Sequence, residues 1–320
     1  MRLIKPMSYL SPSYPPPKIS EIIESLPESV GSFSPALRHV EEVISRSYCT
    51  VDMVAEAVQT DVDLAARLMR YANSSDIAFA HQITSLAQAV SVIGTHQVTE
   101  LIRVSQIIKC FSEIDVAEIE MVHFWQHSIA CGIATREIGL LRKLPGRDQF
   151  FLAGLLHDIG RLIILSQMPE FAGKIFERYK KNNALGLASL TLREAEVGVL
   201  GYDHQTIGQV ALAKWGFNAT ITHAVGYHHH PTMAVTGHLA AAAVHVADHL
   251  VSAMKIGCSG EAFIPQLKPQ AWQLVGLEVE DVGPLVLKID RSFKEIQDLV
   301  LAPVRNNVKS EPCDRLSLCR

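Results

Sequence analysis

The stretch FLAGLLHDIGRLIIL, residues 151–165, sets His157 and Asp158 side by side in an otherwise apolar segment. Imidazole and carboxylate together suit a hard or borderline divalent ion, and apolar surroundings make both groups costly unless something satisfies them. Comparable side chains occur in other segments. His127 lies in WQHSIA, His204 follows GYD, His228 and His229 belong to YHHHP, and Asp248 stands three residues after His245 in VHVADHL. Helical spacing places His245 on one face with both Asp248 and His249. Eleven of the 14 histidines fall between His123 and His249, so the crowding is confined to one part of the chain. Metal sites in helical bundles are assembled from side chains on facing helices, which is how this set is distributed. A single histidine on a helix is more often a satisfied polar group at a core edge than a ligand. The HHH run before Pro231 equally fits an exposed helix end that favours partial positive charge. Six or more such groups on separate helices are harder to explain by packing alone.

The elements that must position these residues read as helices. Residues 1–17, Pro- and Ser-rich, are expected to form an extended arm. Residues 18–112 form a first helical lobe. In it DVDLAARLMRYAN starts from an Asp61 cap, TSLAQAVSVIG runs from a Thr84 cap to a Gly94 stop, and THQVTELIRVSQIIKCF carries apolar residues at helical spacing. The NSSD run, with Asn73 and Ser74, reads as a helix C-cap turn. Such short amphipathic helices are marginal alone and must bury their faces against one another. A second lobe covers residues 117–257, beginning with MVHFWQHSIACGIATREIGLL. The opening stretch, RLIIL included, continues a helical pattern, so His157 and Asp158 would project about 100° apart. Residues 258–303 supply closing helices, and 304–320 read as a disordered tail. The expected fold is all-α, with two helical lobes.

Composition limits the function classes. The 320 residues are 48% hydrophobic, ample for a soluble core, and show neither an uninterrupted apolar run of about 18 residues nor a secretory leader, so a cytoplasmic, membrane-free protein is expected. A net charge of −4 argues against nucleic acid as partner, since such binding draws on clustered Lys and Arg. TSLAQAVSVIGTHQVTELI has a helix-turn-helix outline, yet its second helix, THQVTELIRVSQ, offers only Arg103 alongside Glu100. The six cysteines form no C-x-x-C pair and read as reduced thiols.

With these residues in view, a family resemblance can be stated. LLHDIGR, preceded by His127 in WQHSIA and followed by Asp248 in VHVADHL, resembles the H…HD…D signature of the HD superfamily of metal-dependent phosphohydrolases. NSSD, ITSLAQAVSVIG, LREAEVGVLGYDHQTIGQVALAKWG and HHHP together resemble more closely the HDOD domain, the HD-related output domain of bacterial signal transduction. The likeness spans about residues 15–255. It implies two helical lobes, the second an HD-like bundle, and a signalling role, usually without demonstrated catalysis. Carried over, the ligand positions are His127, His157, Asp158 and Asp248. The related HD-GYP phosphodiesterases add histidines corresponding to His204, His228 and His229, with His245 a candidate for a supporting role.

Two functional classes follow. One is a non-catalytic output module that binds a signalling protein, such as a response regulator or a cyclic-dinucleotide enzyme, with any metal serving structure. The other is a phosphohydrolase using one or two Fe, Mn, Ni or Zn ions, with bridging hydroxide attacking phosphorus in line and no organic cofactor. Three departures weigh against the enzyme. Arg161 stands where catalytic relatives usually have Lys, which would re-aim a phosphate contact. HPTMAVTGH contains no G-Y-P loop, and Lys214 is the only basic residue between His204 and Asp248. A DNA-binding regulator is the third and least supported reading.

Overall fold

The structure, a computed structural model, describes residues 15–26, 35–73, 82–111, 114, 116, 118–184, 190–264 and 266–305. Among these the chain forms sixteen α-helices and no strand, as the apolar periodicity requires. The helices gather into two compact units. One contains residues up to Leu26 and 114–290, the other residues 35–111 and 291–305.

In the smaller unit, helices Pro35–Ile44, Val51–Gln59, Val62–Ala72, Leu86–Ile93 and Thr95–Phe111 close around Val40, Val54, Val58, Val90, Val98 and Ile102. The Asp61 side chain caps the third of these by accepting from Leu64 N at 3.1 Å. The cap expected at Thr84 falls instead on Ser85, whose Oγ accepts from Gln88 N, while Thr84 donates from its backbone N to Gln88 Oε1. Asn73 ends the Val62–Ala72 helix and clamps Ile83 at both its N–H and its carbonyl, at 2.8 and 2.9 Å. Ser74 lies outside the described residues. Gly94 alone, at φ +91°, joins Leu86–Ile93 to Thr95–Phe111, whereas a DNA-binding helix-turn-helix takes a turn of about three or four residues. The side chains of Glu100 and Arg103 lie outside the description.

The larger unit is built on the helix Met121–Leu141, which is apolar on nearly every face and therefore buried on nearly every face. It packs against Phe150–Leu156 and His238–Met254, the latter a largely buried helix that carries the small residues Ala240–Ala243. The sequence FLAGLLHDIGRLIIL is not one helix. Phe150–Leu156 and Ile159–Gln167 meet at His157 and Asp158, where Arg161 N bonds back only three residues, to Asp158 O. His157 keeps helical torsions, φ −55° and ψ −37°, and the break comes at Asp158, at φ −99° and ψ 11°. By length and composition Phe150–Gln167 could cross a membrane, but 94% of it is buried within the fold.

Two boundaries differ from the sequence expectation. The helix Ile19–Ser25, expected in the first lobe, belongs to the larger unit, where it packs on His204–Lys214. Lys214 Nζ donates to Ile23 O at 3.0 Å, and the Tyr202 hydroxyl donates to Pro17 O at 2.6 Å. A seven-residue helix with buried Ile22 and Ile23 needs a surface to form on, and this is the surface it uses. The closing segment, 258–303, holds the two helices read there, Pro269–Val275 and Val279–Arg305, after residues 258–264 and 266–268, which are irregular; the second helix runs to Arg305, two residues into the stretch read as a tail.

Candidate metal centre

Close helix approaches at two glycines assemble the centre. A Cβ on Gly154 would lie 2.4 Å from Thr135 Oγ1 and 2.5 Å from Cys131 O, and one on Gly160 would lie 2.0 Å from His204 O. Only hydrogen fits at either position. The corner between these glycines therefore presses His157 towards the Met121–Leu141 helix and Asp158 towards the start of His204–Lys214.

Two groups of donor atoms result. In the first, one ligand atom each from His127, Cys131, His157 and Asp248 lie within 4.8 Å of one another, all buried. His127 Nε2 is 3.2 Å from Asp248 Oδ1 and 3.5 Å from Cys131 Sγ. The second group comprises His204, His228 and His229. His204 Nε2 lies 3.4 Å from His228 Nε2 and 3.2 Å from His229 Nε2. Asp158 stands between them, with Oδ2 3.2 Å from His157 Nε2 and Oδ1 3.2 Å from His204 Nε2.

The remaining ring nitrogens set which atoms face inwards. Nδ1 of His157 donates to Gly154 O (2.7 Å), Nδ1 of His228 to Val225 O (2.8 Å), and Nδ1 of His204 to Glu196 Oε2 (2.6 Å). These bonds assign the tautomers and leave the three Nε2 lone pairs directed at the centre. His245 makes no such offer. Its Nδ1 donates to His228 O and its Nε2 accepts from Lys268 N, so it fixes the backbone that carries His228.

Charge completes the description. Asp158, Glu196 and Asp248 are buried around one buried cation, Arg161, leaving negative charge to be balanced. Burial opposes ionisation of Asp158, but Arg161 and His157 outweigh it and hold its carboxyl well below the usual range. Asp248 is lowered in the same way, burial being outweighed by its hydrogen bond and charge contact with His127. Burial and neighbouring imidazoles hold His228 and His229 neutral, the state a metal ligand needs. Burial would also lower His157, but the Asp158 and Asp248 carboxylates raise it above its ordinary value. Burial, with Asp248 and Asp158 nearby, raises the Cys131 thiol. His157 Nε2 and Asp158 Oδ1 are buried without a well-aligned hydrogen bond, their contacts at 3.2 Å being Asp158 Oδ2 and His204 Nε2. Opposed lone pairs, uncompensated carboxylates and two atoms without a well-aligned hydrogen bond are together what a divalent cation would satisfy, so the residues fit such an ion.

Arg161 is engaged through two of its three nitrogens. Nη1 donates to Asp158 Oδ2 (2.8 Å) and Ser259 Oγ (2.6 Å), and Nε donates to Glu196 Oε1 (3.3 Å). All eight side chains singled out in the sequence as ligands or their support lie in this one unit, seven of them at the centre and His245 behind it. Sequence reasoning missed two residues. Cys131 was detectable, being four residues after His127 on one helix face. Glu196 carried no spacing signal, since a loop and a helix end separate it from His204.

Comparison with known proteins agrees with this architecture. An HDOD domain protein of Geobacter sulfurreducens aligns over 91% of this chain and 94% of its own, with a TM-score of 0.63 and 21% identity. A proposed signal transduction protein of Marinobacter aquaeolei aligns over 87% of this chain and 60% of its own, at 0.60 and 19%. A proposed metal-dependent phosphohydrolase of Shewanella amazonensis aligns over 88% and 99%, at 0.54 and 18%. At these identities the likeness is one of fold. No curated protein matches the sequence. The HDOD domain family matches residues 30–231, well over half of the chain, and on that match, with the fold in agreement, the protein belongs to the HDOD domain family.

Proposed function

We propose that this chain is a non-catalytic output module of cytoplasmic signal transduction, whose metal-competent centre braces the larger unit while the surface engages a signalling protein such as a response regulator or a cyclic-dinucleotide enzyme. The carrying observation is closure. His157, His204 and His228 are 0% exposed and Asp158 is 2% exposed, and of the candidate donors only His229 is partly exposed. Structural metal sites are closed, whereas catalytic ones keep a position open to water or substrate. The engagement of Arg161 with Asp158, Glu196 and Ser259 supports the same reading, because its charge is already shared with two buried carboxylates and only Nη2 is left for a dianionic substrate. Membership of a family of output domains and the name of the Marinobacter aquaeolei neighbour are consistent with it.

One observation favours the alternative, a metal-dependent phosphohydrolase. Asp158 reaches both donor groups with its two oxygens, as a carboxylate bridging two ions would. To separate the readings, the full chain is loaded in turn with zinc, manganese, iron and nickel and incubated with bis-p-nitrophenyl phosphate. Hydrolysis no faster than in a His157→Ala/Asp158→Ala control is the expected result. Turnover that depends on bound metal and disappears in the control would replace the output-module reading with the phosphohydrolase.

A further inference from the structure

We infer that Cys131 is a metal ligand, completing with His127, His157 and Asp248 a closed four-coordinate site for a thiolate-preferring ion of the zinc class. The inference rests on the metal reading of the centre and adds a ligand, a coordination number and a metal class to it.

The geometry starts from helix periodicity. Cys131 follows His127 by four residues, so both side chains leave the Met121–Leu141 helix on one face. The bare edge of Gly154 lets the Phe150–Leu156 helix approach Cys131 closely, which carries His157 to the same spot. The distances suit a small ion. Metal–ligand bonds of about 2.0–2.3 Å give a tetrahedron with edges of about 3.3–3.8 Å. The His127 Nε2–Cys131 Sγ separation of 3.5 Å falls inside that range, and the His127 Nε2–Asp248 Oδ1 separation of 3.2 Å falls just below it. His157 Nε2, the fourth donor, is fully buried and lacks a well-aligned hydrogen bond, its contact at 3.2 Å being Asp158 Oδ2.

A buried cysteine ordinarily acts as a small apolar residue. Here its sulfur instead faces two imidazoles and a carboxylate. As the S–metal bond forms, the thiol proton passes to solvent, and the thiolate, carboxylate and two neutral imidazoles make a full shell. Four protein ligands leave no open position for water in this group. A thiolate biases the shell towards zinc, ferrous iron or cobalt and away from magnesium and manganese.

The test is cobalt titration of the chelator-stripped full chain, followed by absorption spectroscopy. A thiolate-to-cobalt charge-transfer band in the near ultraviolet should rise with uptake in the wild type, accompanied by the visible bands of four-coordinate cobalt. In Cys131→Ser the charge-transfer band should vanish, and cobalt binding should weaken by at least the roughly 10–100-fold that loss of an outer-shell partner produces. Circular dichroism checks the fold of the variant. If Cys131→Ser does not fold, Cys131→Ala takes its place, and a wild-type spectrum without the band overturns the role of Cys131 by itself. Cobalt uptake without a charge-transfer band overturns the role of Cys131 while leaving metal binding intact. A band that survives in Cys131→Ser also overturns it, by pointing to another cysteine. No cobalt uptake at all overturns both this inference and the metal reading beneath it.

Discussion

Glu196 shows how one carboxylate outside the donor groups can govern them. It accepts from the backbone N and the Nδ1 of His204 and from Nε of Arg161, so it fixes the imidazole's tautomer and divides the guanidinium between itself and Asp158. Partners of this kind orient a ligand and raise its basicity, and losing one typically costs about 10–100-fold in metal affinity. Glu196→Gln keeps the shape, removes the charge and can still accept from one donor. It is expected to weaken by about 10–100-fold the binding of zinc to the His204, His228 and His229 group, measured in Cys131→Ser protein by competition against a chromophoric chelator. Unchanged affinity would mean that the position of His204 at the helix start suffices to aim its ring.

At the scale of the element, the centre depends on how closely two helices cross. Ile159–Gln167 meets the first turn of His204–Lys214 at Gly160, where a methyl group would sit 2.0 Å from the His204 carbonyl oxygen. That neighbour is backbone and cannot rotate away. Inserting a methyl group into packed structure typically costs about 1–3 kcal/mol, occasionally more, and Gly160→Ala should reach the upper end of that range. A clear fall in Tm by circular dichroism is expected, with metal binding weakened in whatever protein remains folded, because Asp158 and His204 move apart together. A variant as stable as the wild type would show that the crossing can open at little cost. The same reasoning explains the break in FLAGLLHDIGRLIIL. Its apolar pattern suits one long helix, but a corner at His157–Asp158 lets two short helices each make a close contact.

For the whole molecule, two units with separate cores predict two thermal transitions rather than one. A ligand that binds only the folded state stabilises by RT ln(1 + [L]/Kd), about 4 kcal/mol at a thousandfold excess over Kd. Because all the donor residues belong to the larger unit, calorimetry with and without a chelator should lower one transition and leave the other in place. A shift of both would mean that the two units unfold as one cooperative block.

The sequence by itself determined the all-α class and most of the helices, because amphipathic periodicity, caps and stops are local. The Met121–Leu141 helix and the Asp61 cap are recovered as read. Local chemistry also picked out the histidines and aspartates by type and crowding. The shift of a cap from Thr84 to Ser85 is a one-residue competition that propensity does not resolve. Tertiary structure alone decided that the chain corners at Asp158, that Ile19–Ser25 joins the larger unit, that Arg161 is engaged by Asp158, Glu196 and Ser259, and that Cys131 and Glu196 belong with the centre. Each of these depends on contacts between residues far apart in the chain, set by which helices can approach at a glycine and which buried charges must be balanced. A one-dimensional pattern carries the periodicity of a face but not the identity of what that face meets.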